Sequence, residues 1–260
     1  RSRQHRQSEC KSSLVDYSAP VMPPSRAGRP STTYQLPEPA MRRRFRRRLL
    51  GWYRKNARDL PWRHTRDPYH ILVSEMMLQQ TQVDRVLPKY EEWIRKYPSL
   101  ETLAAARPAA VDKAWRPLGY NARPRRLHSI AREVMSRYDG ELPSDERTLR
   151  SFKGIGAYTA GAIRSFAFGH RAPIVDTNVA RVLFRVFVGR GDRTSTPLKK
   201  YLWSLSAVLL PRRHVFDFNQ ALMDIGATVC VARRPRCPVC PMSPICEAYP
   251  FDPDLEHGSG

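Results

Sequence analysis

From Phe45 onward the apolar residues of this chain recur at the three- and four-residue spacing of a helix with one buried face. Phe45, Leu49 and Trp52 come first, followed by a break at Leu60-Pro61-Trp62. The same spacing, bounded by Pro, Gly or a polar cap, predicts helices over 68–80, 84–96, 100–106, 108–116, 123–138, 145–152, 157–168, 177–187, 197–209 and 215–229. No stretch sustains the two-residue alternation of a half-buried strand, so the expected fold class is all-α. Residues 1–40 lack periodicity and place Pro20, Pro23, Pro24, Pro30, Pro37 and Pro39 among Ser and Arg. That segment is expected to be disordered or loosely draped. Both extreme ends are set aside from the fold argument, because the first residue is Arg rather than Met and the tail Leu255–Gly260 reads as an appended sequence.

A length of 260 residues with 41% apolar content allows one large or two modest domains with a proper core. The charge is less ordinary. A formal +21 implies a polyanionic partner, and nucleic acid fits better than a membrane because no amphipathic anchor or lipidation signal is present. A solvated basic surface would account for a smaller excess. Part of it sits in Met41-Arg42-Arg43-Arg44-Phe45-Arg46-Arg47-Arg48, which also reads as a localisation signal.

Cys230, Cys237, Cys240 and Cys246 follow the spacing C-x6-C-x2-C-x5-C. Four thiolates in so short a loop can hold one metal centre. Structural zinc sites usually pair two C-x2-C turns across a longer gap, and only Cys237 and Cys240 form such a turn, so zinc and an iron–sulfur cluster both remain open. Disulfides would need an oxidising compartment, and the chain offers neither a secretory apolar region nor a run long enough to span a bilayer. Cys10 lies apart and reads as a free thiol.

Three further features carry possible chemistry. The turn Lys153-Gly154-Ile155-Gly156-Ala157 lies between two predicted helices, and its amides could hold one DNA phosphate at Gly154, Gly156 and Ala157. Taken alone, such a Gly-x-Gly turn is usually only a turn. Glu75 shares a predicted helix face with Ile71, Leu72 and Leu78. Desolvation there would raise its pKa toward general-acid use, although a glutamate at the stripe's edge reaching water fits the periodicity equally. Asp176 precedes a predicted helix start and most simply caps it; the helix dipole and amides would also keep it ionised. The two carboxyls, with pKa values pushed apart, would suit glycosidic bond cleavage.

At this point the residues match a family. From about Phe45 to Cys246 the chain resembles the helix-hairpin-helix DNA glycosylases of the endonuclease III superfamily, and within them the MutY-type adenine glycosylases. The motifs are Leu60-Pro61-Trp62-Arg63, Ser74-Glu75-Met76-Met77-Leu78-Gln79-Gln80-Thr81-Gln82-Val83, Leu118-Gly119-Tyr120, Gly154-Ile155-Gly156-Ala157-Tyr158-Thr159-Ala160-Gly161-Ala162-Ile163, Val175-Asp176-Thr177-Asn178-Val179, Phe218-Asn219-Gln220-Ala221-Leu222-Met223-Asp224 and the cysteine spacing. The resemblance implies a six-helix barrel over 64–166, a second domain from 41–63 and 167–250 holding a 4Fe-4S cluster on the four cysteines, and a tail over 251–260. It implies that Glu75 protonates a flipped adenine, that Asp176 stabilises the oxocarbenium-like cation, and that Tyr158 and Asn178 orient carboxylate and water. Arg58, Trp62, Arg63 and Gln220 match pocket-lining positions, Gln79 and Gln80 substrate-binding ones, and Tyr120 the aromatic wedge that enters the base stack. For the pocket residues and Tyr120 the plain alternative is ordinary packing or surface hydrogen bonding.

The departures are informative. Phe152-Lys153 stand where the family usually has Leu-Pro, Asn121 replaces a second aromatic after the wedge, and Tyr158 occupies the place of the lysine nucleophile of bifunctional members. Without that amine no Schiff base forms, so the expected activity is monofunctional. The sequence stops soon after the cysteines, whereas MutY-type proteins continue into a Nudix-like domain that helps recognise 8-oxoguanine. The expected protein is therefore a monomeric, intracellular base-excision enzyme acting on double-stranded DNA with adenine opposite 8-oxoguanine or guanine, and without a membrane partner. A thymine glycosylase acting opposite guanine and a non-catalytic DNA-binding iron–sulfur protein are the alternatives. Gln220 leans toward adenine.

Overall fold

The computed structural model describes residues 34–120 and 122–253; the expectations for residues 1–33 with Cys10, for Asn121 and for the tail from 254 lie outside them. Among the described residues there are eleven α-helices, short 3-10 turns and no strand, in agreement with the all-α expectation.

The first departure is at the start. Helix α1 (Pro39–Asn56) begins six residues before Phe45 with Pro39 in its first turn, where a missing N–H costs nothing. Tyr34 stacks on Tyr201 with ring centres 4.9 Å apart, and the Tyr201 hydroxyl donates to the Gln35 carbonyl at 2.9 Å. The start of this segment is thus held at Tyr34 and Gln35, although most of residues 34–40 are exposed. The arginine run is not one solvated face either. Phe45 and Leu49 are wholly buried, Arg46 donates to the carbonyls of Val208, Leu209 and Leu210, and Arg48 donates to that of Pro241.

Helix α2 (Pro68–Leu78) is capped by Asp67, whose carboxylate accepts from the Tyr69 and His70 amides, and every residue from Ile71 to Met77 is buried. It touches α3 (Val83–Lys96), α6 (Ala122–Arg137) and α8 (Ala157–Phe166). Residues on every side of α2 meet protein, which is why its sequence shows so weak a stripe. Helices α4 (Leu100–Ala104) and α5 (Pro108–Trp115) pack on α6, and α7 (Glu146–Ser151) packs on α8. A second group joins α9 (Thr177–Phe187) to α10 (Thr196–Leu209) and α11 (Val215–Thr228), with α1 lying on α10 and α11. Contacts between α8 and α11 connect the two groups, and the cavity described next opens beside that contact.

Between α7 and α8 the chain makes the expected hairpin. Gly154 has φ +103°, which only glycine adopts freely, and a Cβ there would meet the Arg126 side chain at 2.7 Å. Gly156, at φ −90°, has open space and no comparable need to be glycine. Phe152, just before the hairpin, is buried with its ring centre 5.8 Å from that of Tyr138.

Candidate active site and cysteine centre

A cavity of about 780 Å³ gathers most of the predicted site. Helix α2 supplies Glu75, with Gln79 and Gln80 following it; α8 supplies Tyr158; the start of α9 supplies Asp176 and Asn178; α11 supplies Gln220; and the segment before α2 supplies Arg58, Trp62 and Arg63. Tyr120 and the hairpin residues Gly154, Gly156 and Ala157 are not part of its lining. Tyr120 is 61% exposed, without the burial that ordinary packing would produce. Trp62 is the converse case: it lines the cavity but is 4% exposed and packs edge-on against Tyr90 at 5.3 Å.

Glu75 is 3% exposed and its Oε2 has no hydrogen-bond partner, which removes the solvent-reaching alternative. Burial pushes its carboxyl up to about 7; a hydrogen bond with Tyr158 opposes that rise, Asp176 adds to it and Arg63 opposes it. Tyr158 is itself raised well above its usual range, first by burial and then by the two carboxylates, so it remains a neutral phenol.

Asp176 caps α9, accepting from the Val179 amide at 2.6 Å and from Asn178 Nδ2 at 3.3 Å. The cap was expected to keep its pKa low. The direction is the opposite: burial raises it, and the amide, Asn178 and Arg181 offset only part of that cost. Both carboxyls therefore move upward, and the numerical rise to neutrality belongs to Glu75. Arg181 Nη2 donates to Asn178 Oδ1 at 2.8 Å and also to the Gly226 carbonyl, which fixes the amide that faces Asp176.

Sequence reasoning missed Asp224 except as a letter in a motif. Its carboxylate is wholly buried and holds both cavity arginines, Arg58 Nε at 2.6 Å and Arg63 Nη2 at 2.7 Å and Nη1 at 2.8 Å. Burial alone would raise its pKa, but Arg63 and Arg58 outweigh burial and hold it below the ordinary range. The available signal was its place one helical turn after Gln220, on the same face of α11.

All four cysteines are free and line one small apolar cavity with Arg185, Ile225 and Met242. No group of three or more His, Cys, Asp or Glu among the described residues is placed to hold a single metal ion. Four thiols around a cavity, with the Met242 amide 3.4 Å from Cys240 Sγ and Arg185 Nη1 3.5 Å from Cys230 Sγ, suit a larger, anionic thiolate-bound group. Burial pushes the Cys246 thiol up to about 12 and raises Cys237 and Cys240 as well, and a bound metal cation would favour their thiolate forms. No helix among the described residues is long and apolar enough to cross a membrane.

Residues 73–207 match the family described as HhH-GPD superfamily base excision DNA repair protein. The chain is 45% identical over 214 residues to the adenine DNA glycosylase of Mus musculus, taking in 79% of this chain and 42% of the mouse protein. It is 42% identical over 211 residues to the adenine DNA glycosylase of Mycobacterium tuberculosis (strain ATCC 25618 / H37Rv), taking in 80% of this chain and 69% of that protein. A solved structure of a thermostable thymine-DNA glycosylase superposes with a TM-score of 0.75 at 34% identity, covering 82% of this chain and 98% of the other. The chain spans less than half the length of the mammalian relatives it matches.

Proposed function

The chain belongs to the HhH-GPD superfamily of base excision DNA repair proteins, and we propose that it is a monofunctional DNA glycosylase, hydrolysing the N-glycosidic bond of adenine opposite 8-oxoguanine or guanine. The observation that carries this reading is the buried Glu75, its carboxyl held protonated to about neutrality, facing the same cavity as Asp176 and Tyr158. Glu75 gives its proton to a ring nitrogen of the extruded adenine. The bond between base and sugar then breaks with its electron pair leaving on the base, and the Asp176 carboxylate stabilises the cation left on the sugar. Water adds to that carbon and gives up a proton that restores the Glu75 carboxyl, with Asn178 and Tyr158 orienting the groups. Arg58, Trp62, Arg63 and Gln220 bound the base, and Asp224 fixes both guanidiniums. The tyrosine in the lysine position supports hydrolysis without strand cleavage.

Double-stranded DNA would be gripped at one phosphate by the amides of Gly154, Gly156 and Ala157, where no side chain caps α8, with Tyr120, Gln79 and Gln80 meeting the base stack. Cys230, Cys237, Cys240 and Cys246 would hold a 4Fe-4S cluster, which when bound supplies a rigid cross-link for a segment with little regular structure. Residues 64–166 form the barrel domain in this reading, with residues 41–63 and 167–250 forming the cluster domain. The enzyme works inside the cell, on DNA, as a monomer.

One observation favours a second reading, thymine excision opposite guanine: the similarity to a thymine-DNA glycosylase over nearly that protein's whole length. The higher identity to adenine glycosylases and Gln220 in the cavity support adenine. A non-catalytic DNA-binding protein would have no use for a buried acid whose Oε2 is left without a partner. Single-turnover assays on duplexes carrying A opposite 8-oxoguanine, A opposite G and T opposite G test all three. Adenine release from the first two is expected, with Asp176→Asn binding DNA but releasing none. Thymine release with adenine untouched would replace the adenine reading, and no release from any duplex would leave the non-catalytic one.

A further inference from the structure

Arg123 lies near the start of α6, is 3% exposed, and takes no part in the reaction above. Its guanidinium reaches two loops that are distant in sequence. Toward the end of α2, Nη1 donates to the carbonyls of Met76 at 3.1 Å, Met77 at 2.8 Å and Gln79, while Nη2 donates to Thr81 Oγ1 at 3.1 Å. Toward the turn before α6, Nη2 donates to the carbonyls of Leu118 at 3.1 Å and Gly119 at 3.2 Å. The same group lies 5.2 Å from the Trp115 ring centre and 5.3 Å from that of Tyr120.

Each of these loops contains a non-glycine residue in the left-handed region, Gln80 at φ +55° and Tyr120 at φ +49°. Such residues persist only where the surroundings over-determine them. Both side chains are exposed, so their own packing does not hold them. What the two loops share is the fork of Arg123, bonded to backbone on either side. We propose that Arg123 is a positioning residue that locks the Gln79–Thr81 and Leu118–Tyr120 loops into one rigid edge, so that Gln80 and Tyr120 enter the base stack together as the target base is extruded. The proposal rests on the reading of both loops as DNA-facing.

The test compares adenine opposite G with adenine opposite an abasic site, whose extrusion is cheaper because it has no partner base. Arg123→Lys keeps the charge and loses the planar fork, and Thr81→Val removes one acceptor from a partly exposed loop. Excision is measured in single turnover, and extrusion by the fluorescence of 2-aminopurine placed next to the target adenine, a signal that stands whether or not the bond is cut. Arg123→Lys is expected to slow excision about tenfold opposite G with weakened fluorescence, and about twofold or less opposite the abasic site. Thr81→Val is expected to shift both measurements in the same direction by less. A purely structural role would slow both duplexes equally. Equal loss on both, or no loss on either, in variants that melt like the parent overturns the proposal. If Arg123→Lys does not fold, Thr81→Val decides by the same ratio. If the parent releases no adenine, the function reading fails separately, and fluorescence unchanged in the variants still overturns the coupling.

Discussion

Replacing Glu75 by Gln should uncouple stability from pH at the same stroke that abolishes excision. The carboxyl is 3% exposed and burial raises it to about 7 from an ordinary 4.5, so the folded protein holds this proton over a range in which the unfolded chain has released it. The stability this gives is fully present below pH 4.5, declines as pH rises, and is lost above the folded value near 7. Across that window the difference corresponds to about 3 kcal/mol. The amide carries no titratable proton, so Glu75→Gln should lack this decline. Its –NH2 gains the full cost of an unpartnered donor if none is found beside Oε2, about 1–3 kcal/mol, so the comparison uses slopes and not absolute stabilities. Urea unfolding of both proteins from pH 4 to 9, within the range where each unfolds reversibly, measures those slopes. The parent should lose stability relative to the variant between about pH 4.5 and 7, and parental excision should fall as pH rises through about 7 because the proton donor is being titrated. Parallel stability curves would show that Glu75 is already ionised in the folded state, and the general-acid role would fall with them.

Asp224→Asn leaves Arg63 and Arg58 facing a neutral group at a fully buried position; a loss of about 3–5 kcal/mol in urea unfolding is expected, at the lower end because Arg58 is 26% exposed. A loss below about 1 kcal/mol would mean that water replaces the pair. The purified protein should be brown with iron and sulfide in equal amounts, and Cys237→Ser should lose colour and solubility; a colourless, zinc-loaded, fully active preparation would assign the other metal. Removing residues 1–33 should weaken binding to all duplexes alike and flatten the salt dependence while leaving the melting transition, whereas removal through Arg48 should abolish cooperative melting because it takes Tyr34, Phe45 and Arg46 out of their packing. A cooperative transition in the longer deletion would place α1 outside the folding unit.

The sequence alone determined the helices, because their starts are local chemistry: a side-chain cap at Asp67, Asp145 or Asp176, proline in the first turn of α5, and glycine where only Gly154 can adopt its φ. Predicted and observed boundaries of α9, capped by Asp176, coincide; those of α10, capped by Ser195, of α5, with proline in its first turn, and of α3, which has no side-chain cap, differ by a residue. It also singled out Glu75 and Asp176, to which the family resemblance added Tyr158, Asn178 and Gln220, and the fold brings all five to one cavity. Periodicity alone could not say whether Glu75 was buried. That depends on α3, α6 and α8 enclosing α2, and no pattern within α2 records how many helices surround it. The sign of Asp176 likewise went the other way once burial, a sum over distant residues, exceeded the local contribution of its cap. The arginines divided unpredictably by composition: Arg46 and Arg48 hold carbonyls more than 160 and 190 residues away, Arg63 and Arg58 share Asp224, and Arg123 joins two loops. A guanidinium looks the same in sequence whether it faces water, a carboxylate or a carbonyl. Only the tertiary structure decides which acceptor lies within reach, because the partners are set by chain segments whose separation in sequence carries no record of their distance in space.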